Sequence, residues 1–268
     1  MLTKITSDSE KNWISLSRAL VDTLNEKDIM FYFNSPAVNK VVADSGWDGG
    51  LGSKPNSFMF VDANLGLNKA NFFIRRDVGV STVIDKTGSV VNSVTVHYKN
   101  SSIDDSWPGG NYKNYVRFLV PVGSVVEGIN IGDARNAVIS PTLTEVELKK
   151  INPMEQFFVY QSGEVSNFNS YGTLINIPAK SELTIIFKYR LPYKMAFTPT
   201  TSFVFNYLKQ PGSGTDPLDV SVEYPVFLAP ENSNSLGNLL PLAFPHQLIY
   251  NSDTSVDRKF EIKFINKA

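Results

Sequence analysis

The chain has 268 residues, with 25 Lys and Arg against 26 Asp and Glu for a formal net charge of -1. That length suffices for a sizeable core, and the balanced charge argues against a polyphosphate partner such as nucleic acid. No Cys is present, which excludes a disulfide framework, a thiol nucleophile and a thiolate metal site.

The opening residues, Met1 to Thr6, lack the basic-then-apolar order of a signal peptide. No apolar run approaches the ~20 residues that span a bilayer. From Asp8 to Asn25 the spacing of Trp13, Leu16, Leu20 and Leu24, widened by Ile14 and Val21, predicts an amphipathic helix capped by Ser7, Asp8 or Ser9. Asp28 to Phe33 is a short aromatic run expected as a buried strand. A second helix is predicted from Pro36 to about Ser45, with proline in the favoured first turn, followed by a glycine-rich loop from Gly46 to Gly52.

An apolar strand from Phe58 stops at Asp62, turns through Asn64, Gly66 and Asn68, and re-enters an extended run at Phe72. Strands over 72–83 and 90–98 are joined by the strong hairpin signal Asp85 to Gly88. A polar loop from Asn100 to Asn111 carries Trp107-Pro108. Further strands are expected over 112–120, 125–131, 156–161, 171–177, 182–191, 202–210 and 218–224, with turns at Pro121 to Ser124, Ser162-Gly163, Pro178 to Ser181 and Pro211 to Gly214. The less regular segment 133–153 includes a candidate edge strand over 142–149. A last pair, 246–250 and 258–265, brackets a hairpin-like Asn251 to Asp253. Short strands at regular spacing between Gly/Pro turns predict an antiparallel sandwich.

These elements predict a mainly β chain, an antiparallel immunoglobulin-like sandwich with a small N-terminal α/β remnant. The remnant takes 1–57 (helix, strand, helix) and the sandwich 58–225, whole or split near Pro153. A C-terminal extension with the final strand pair takes 226–268.

Asp62, Asn64, Gly66 and Asn68 superficially resemble the start of a calcium loop. Leu67 stands at the sixth position, where such a loop needs Gly, and Phe73 at the twelfth, where it needs Glu. Asx turns are the better reading, making Asp62, Asn64, Asn68 and Lys69 a structural junction between remnant and sandwich. Lys69, Arg75 and Arg76 are also readable as anion ligands, although isolated strand cations are more often solvated or ion-paired.

His97 and His246 are the only histidines. Without a G-x-S-x-G elbow or an H-E-x-x-H spacing, neither a catalytic triad nor a zinc site is indicated. No catalytic residue, metal ligand or cofactor site is assigned. Acids on separate strands can still converge as in a glycosidase, and Asp104 and Asp105 share a loop with Trp107. Trp47, Asp48, Asp104 and Trp107 are the first candidates for a glycan-binding surface, against the plainer reading of loop tryptophans as packing anchors.

Several ordered segments together resemble the bacterial cell-envelope family termed "domain of unknown function 4012", in its C-terminal half. They are Gly46 to Gly49, Val61 to Asn71, Tyr112 to Pro121 with Gly123-Ser124, Phe187 to Pro192, Tyr207 to Gly212 and Asp257 to Phe264. The resemblance implies an extracytoplasmic part of a protein anchored by an N-terminal transmembrane helix outside this chain. It supplies no catalytic residues. The expected role is a non-catalytic structural or binding module associated with envelope polysaccharide, its partners being glycan or other surface proteins. The alternative is part of an envelope enzyme acting on polysaccharide or lipid-linked glycan, with its site largely in the preceding domain.

Overall fold

The computed structural model describes residues 11–52, 55–132, 138–140, 158–165, 167–231 and 242–267. The expected edge strand over 142–149, the split near Pro153 and the caps at Ser7 to Ser9 lie outside the described residues.

Two helices lead the described chain, α1 (Lys11–Asn25) and α2 (Pro36–Asp44). Pro36 opens α2. At its other end Gly46 adopts φ 74°, while Gly46 N–H donates to Ala43 O at 2.9 Å and Trp47 N–H to Val42 O at 3.0 Å. This reciprocal pair satisfies the last carbonyls, and a glycine tolerates the left-handed φ it requires. Between the helices the run from Asp28 to Phe33, expected as a buried strand, makes no strand and is exposed throughout. Among the described residues its β-favouring aromatics meet no neighbouring strand to pair with, and propensity alone does not build a sheet.

The strands are β1 (Ser57–Asn64), β2 (Ile74–Ile84), β3 (Ser89–Asn100), β4 (Tyr112–Pro121) and β5 (Val125–Ile131). They continue with β6 (Val138–Ser140), β7 (Phe158–Val165), β8 (Phe168–Ile177), β9 (Glu182–Lys194) and β10 (Thr200–Tyr207). The last are β11 (Pro217–Glu223), β12 (Leu228–Pro230), β13 (Leu242–Phe244), β14 (Gln247–Asp253) and β15 (Arg258–Asn266). One sheet has the order β12-β15-β10-β1-β4-β8-β7-β6 and the other β13-β14-β11-β2-β3-β9-β5. Most neighbours are antiparallel, as expected, but β1 with β10, β2 with β11 and β6 with β7 run parallel. The chain is therefore mainly β, built of two mixed sheets.

Alternation along the strands explains the burial. In β3, Val90, Asn92, Val94, Val96, Tyr98 and Asn100 face inward while the residues between them face out, as a two-residue period demands. Rings from the two sheets meet in the core: Phe118 on β4 stacks on Phe187 of β9 at 4.7 Å between centroids, and Phe58 on β1 stacks on Tyr189 of β9 at 6.2 Å. Such offset pairs add roughly 0.5–1.5 kcal/mol each beyond the area they bury.

The β2–β3 hairpin turns at Asp85 to Gly88 as the local signal requires. Asp85 Oδ1 accepts from Thr87 N–H at 2.7 Å and Ser89 N–H at 3.0 Å, and Gly88 takes φ 81°. Two other turns differ from expectation. Ser162-Gly163 lies inside β7, where the register to β8 shifts between Gln161 and Glu164, so the pair sits at an irregularity within a strand instead of ending it. The final strands form no hairpin: β14 pairs with β11 and β15 with β10 and β12, in opposite sheets. The chain between them crosses the sandwich, held by Thr254 N–H on Asp216 O at 2.9 Å and by Asp257, which accepts Lys209 N–H at 2.8 Å.

Candidate functional site

The parallel pairs position the site. Because β1 runs beside β10 and β2 beside β11 in the same sense, the crossing from β1 to β2 and the crossing from β10 to β11 fall at the same side of the sandwich. Between them opens a cleft of about 770 Å³, lined from the first crossing by Asp62, Asn64, Asn68, Lys69, Asn71 and Phe72 and from the second by Gln210 and Gly212 to Asp216. Arg75, Arg76 and Tyr112 complete it.

The local structure of the first crossing follows from its asparagines. Asn64 Oδ1 accepts Gly66 N–H at 2.9 Å and Asn68 Oδ1 accepts Ala70 N–H at 3.3 Å, two Asx turns in succession. Asn64 Nδ2 donates to Asn68 O at 3.1 Å and to Asn71 Oδ1 at 3.2 Å. Asn68 Nδ2 donates to Asn111 O at 3.0 Å, and Lys69 N–H to Pro108 O at 2.7 Å. The loop that carries Trp107 is thereby fastened to the crossing that lines the cleft.

Under these turns lies a buried charge triad. Arg76 Nη1 donates to Asp62 Oδ2 at 2.8 Å and Nη2 approaches Asp216 Oδ2 at 2.7 Å. The second contact is an ion pair without hydrogen-bond alignment, since Asp216 Oδ2 accepts no directed bond. The Arg76 backbone N–H reaches Asp216 Oδ1 at 3.2 Å. Asp62 Oδ1 accepts Tyr98 O–H at 2.9 Å and Asn114 Nδ2 at 2.7 Å. Gln210 grips the Asp62 backbone twice, accepting its N–H at 2.8 Å and donating to its carbonyl at 2.9 Å. The Phe60 ring lies 5.6 Å from the guanidinium carbon, a cation–π contact.

The side chains of Arg76, Asp62 and Asp216 are only 12%, 7% and 11% exposed, so water screens their charges little. Burial works against the guanidinium charge, but Asp62 and then Asp216 more than offset it and hold Arg76 protonated. For Asp216 burial outweighs the pull of Arg76, and its carboxyl is pushed up from the ordinary value. The Tyr98 hydroxyl is pushed up by burial and by the neighbouring Asp62 charge. Charged in this way, the triad is a closed floor whose acids already have partners.

The residues expected to form a glycan surface fall into two groups by their contacts. Trp47 Nε1 donates to Asn25 Oδ1 at 3.0 Å, and its carbonyl accepts Phe31 N–H at 2.9 Å, which makes Trp47 the anchor between α1 and the end of α2. Asp48 Oδ1 accepts Gly50 N–H at 2.9 Å, a turn of its own. Asp104 Oδ1 accepts Ser106 N–H at 2.9 Å. Trp107 stays 75% exposed on the loop beside the cleft. Trp47 and Asp48 thus belong to the helical segment, while Asp104 and Trp107 belong to the cleft's neighbouring loop.

The junction residues do gather, but they tie β1 to β2, β3, β4 and two loops. The helical segment is held elsewhere: Lys27 Nζ pairs with Asp257 Oδ1 at 2.7 Å, and Lys209 Nζ donates to Glu26 O. The site's other members, Tyr98, Asn114, Gln210 and Asp216, carry no local sequence signature. Arg76 was visible only as one of two adjacent strand cations.

No family model and no curated protein sequence matches the chain. Among solved structures, a proposed nutrient binding protein from Legionella pneumophila superposes with TM-score 0.45 and 8% identity, over 79% of this chain and 70% of that one. Yeast LTA4 hydrolase in complex with bestatin gives TM-score 0.36 and 10% identity, over 76% of this chain and 31% of that one. The M1 zinc metallopeptidase from Deinococcus radiodurans gives TM-score 0.36 and 8% identity, over 72% and 42%. The chain spans less than half the length of the latter two. Likenesses at this level carry no argument about activity.

Proposed function

We propose that this chain is a non-catalytic, extracytoplasmic binding module of a bacterial cell-surface protein, and that it holds envelope polysaccharide in the cleft between the two crossings. The observation that carries the reading is the chemistry of the lining. A sugar ring offers hydroxyls that both donate and accept at its edge and an apolar C–H face. The cleft offers the Asn71 amide nitrogen and the Thr215 hydroxyl, which have no hydrogen-bond partner among the described residues, the Ser213 hydroxyl, and the second lone pairs of the Asn64, Asn68 and Gln210 amide oxygens, whose turns and backbone contacts hold them in place. Phe72, 78% exposed at the cleft, supplies a flat apolar surface for the ring face.

The ordered segments that resemble the domain-of-unknown-function-4012 family support the location, the bacterial cell envelope with a membrane anchor ahead of this region. The immunoglobulin-like description of the two-sheet body belongs to the same proposal, amended by the parallel pairs. Calorimetric titration of the full chain with oligosaccharides prepared from bacterial envelope polysaccharide tests the reading. Binding should weaken at least about tenfold, ~1.4 kcal/mol, in Phe72→Ala. Equal affinity of that variant would remove the cleft as the site.

One observation favours the enzymatic alternative: Asp216, with its raised carboxyl pKa, shares the cleft with Asp62. Both acids are nevertheless consumed by Arg76, Tyr98 and Asn114, which favours binding over proton transfer. Release of reducing ends from those oligosaccharides, abolished by Asp216→Asn, would establish the alternative instead.

A further inference from the structure

We infer that the saccharide taken by this cleft is anionic, with its carboxylate or phosphate oxygens held between Lys69 and Arg75. The inference rests on the glycan reading above and adds the ligand's charge. Five ionisable residues of acid or base type line the cleft, Asp62, Lys69, Arg75, Arg76 and Asp216, so three cations face two anions and the lining carries a net charge of +1. The two anions are spent within the floor on Arg76, and Asp62 is further occupied by Tyr98 and Asn114. Lys69 and Arg75, exposed at the cleft, form no ion pair with any of the described residues. They are the uncompensated charges of the lining.

Their placement separates two tasks. Lys69 stands just ahead of the short 3-10 turn Ala70–Phe73 and Arg75 just after it, so the two cations flank the segment that presents Asn71 and Phe72. A ring resting on Phe72 with its hydroxyls on the amides would bring an exocyclic acid group within reach of that pair. Arg75 can meet two oxygens through its planar fork, and Lys69 adds a point charge. The floor below, with two carboxylates and one guanidinium, is net negative and disfavours deep entry of the anion. The acid group is therefore read at the rim.

Titrations of the full chain with three probes decide it: a glucuronate-containing oligosaccharide, a neutral glucose oligosaccharide of equal length, and the same neutral oligosaccharide bearing a phosphomonoester. The acidic probes should bind at least about tenfold more tightly than the neutral one, and the advantage should shrink as salt is raised. The double variant Lys69→Gln/Arg75→Gln should lose that advantage while keeping its weak affinity for the neutral probe. Preference for glucuronate or for the phosphomonoester identifies which acid the rim takes. Equal binding of all three by the unaltered chain overturns the inference and leaves the glycan reading standing. Binding of none overturns both. A double variant that still prefers the acidic probes shows that the anion is held elsewhere.

Discussion

The sandwich and the helical segment ahead of it are both rich in apolar side chains, yet only one of them buries them. In the sandwich Phe58, Phe118, Phe187, Phe205, Phe260 and Phe264 are each fully covered. In α1 the stripe residues Trp13, Leu16 and Leu20 are 61%, 46% and 46% exposed, and Leu24 alone is buried, at 3%. The segment's hold on the sandwich is polar, through the Lys27–Asp257 pair and the Lys209 contact to the Glu26 carbonyl. Periodicity reports that a face is apolar. Whether the face is covered depends on a partner, and the two regions differ in having one.

Removing core atoms should show the largest effect. Phe187 lies against Phe118 at 4.7 Å, Tyr171 at 5.8 Å and Tyr189 at 5.8 Å, so Phe187→Ala deletes a ring shared by both sheets. Urea unfolding should register a loss of about 3–5 kcal/mol. A loss below ~1 kcal/mol would mean that the sheets can close over the gap, and the contrast with the helices would weaken.

Arg76→Met probes the charged floor instead of the apolar core. The methionine fills part of the space but leaves Asp62 and Asp216 buried without a counter-charge. Breaking a buried pair in this way costs about 3–5 kcal/mol. Burial already holds the Asp216 carboxyl above its ordinary value, and removing Arg76 takes away the charge that opposes that rise. Stability is then least reduced below the ordinary carboxylate pKa, where Asp216 is protonated, and falls as pH rises through its raised value. Unfolding followed from pH 3.5 to pH 7 should therefore show the variant diverging from the parent as pH rises. A constant offset would mean that the acids find other partners or water.

How much of this is legible in the residues depends on the range of the interaction. The Asp85 to Gly88 hairpin and the Asn64 to Ala70 turns are written in adjacent side chains, and both form as read. The β14–β15 connection has the same kind of local signal, but Asp216 and Lys209, distant in the chain, hold Thr254 and Asp257 and draw it across the sandwich. Arg76 and Asp216 are 140 residues apart, and nothing near either one announces the other. The parallel pairings of β1 with β10 and β2 with β11 are equally non-local, and they are what places the cleft. Trp47 shows the converse: its isolation in a glycine-rich loop reads as a ligand platform, while its indole N–H is already engaged by Asn25.

The smallest effect is expected where exposure is greatest. Leu20→Ala in α1 removes an apolar side chain that is 46% exposed and replaces it with the best helix former, so the lost burial and the gained propensity nearly cancel. Urea unfolding should move by no more than about 0.5 kcal/mol. Hydrogen exchange of the α1 amides should proceed through local opening well below the energy that opens β3 and β4, because few apolar contacts resist it. Should Leu20→Ala instead cost above ~2 kcal/mol, or α1 exchange only with global unfolding, the helical face is covered in solution, and the contrast between the two regions belongs to the isolated chain alone.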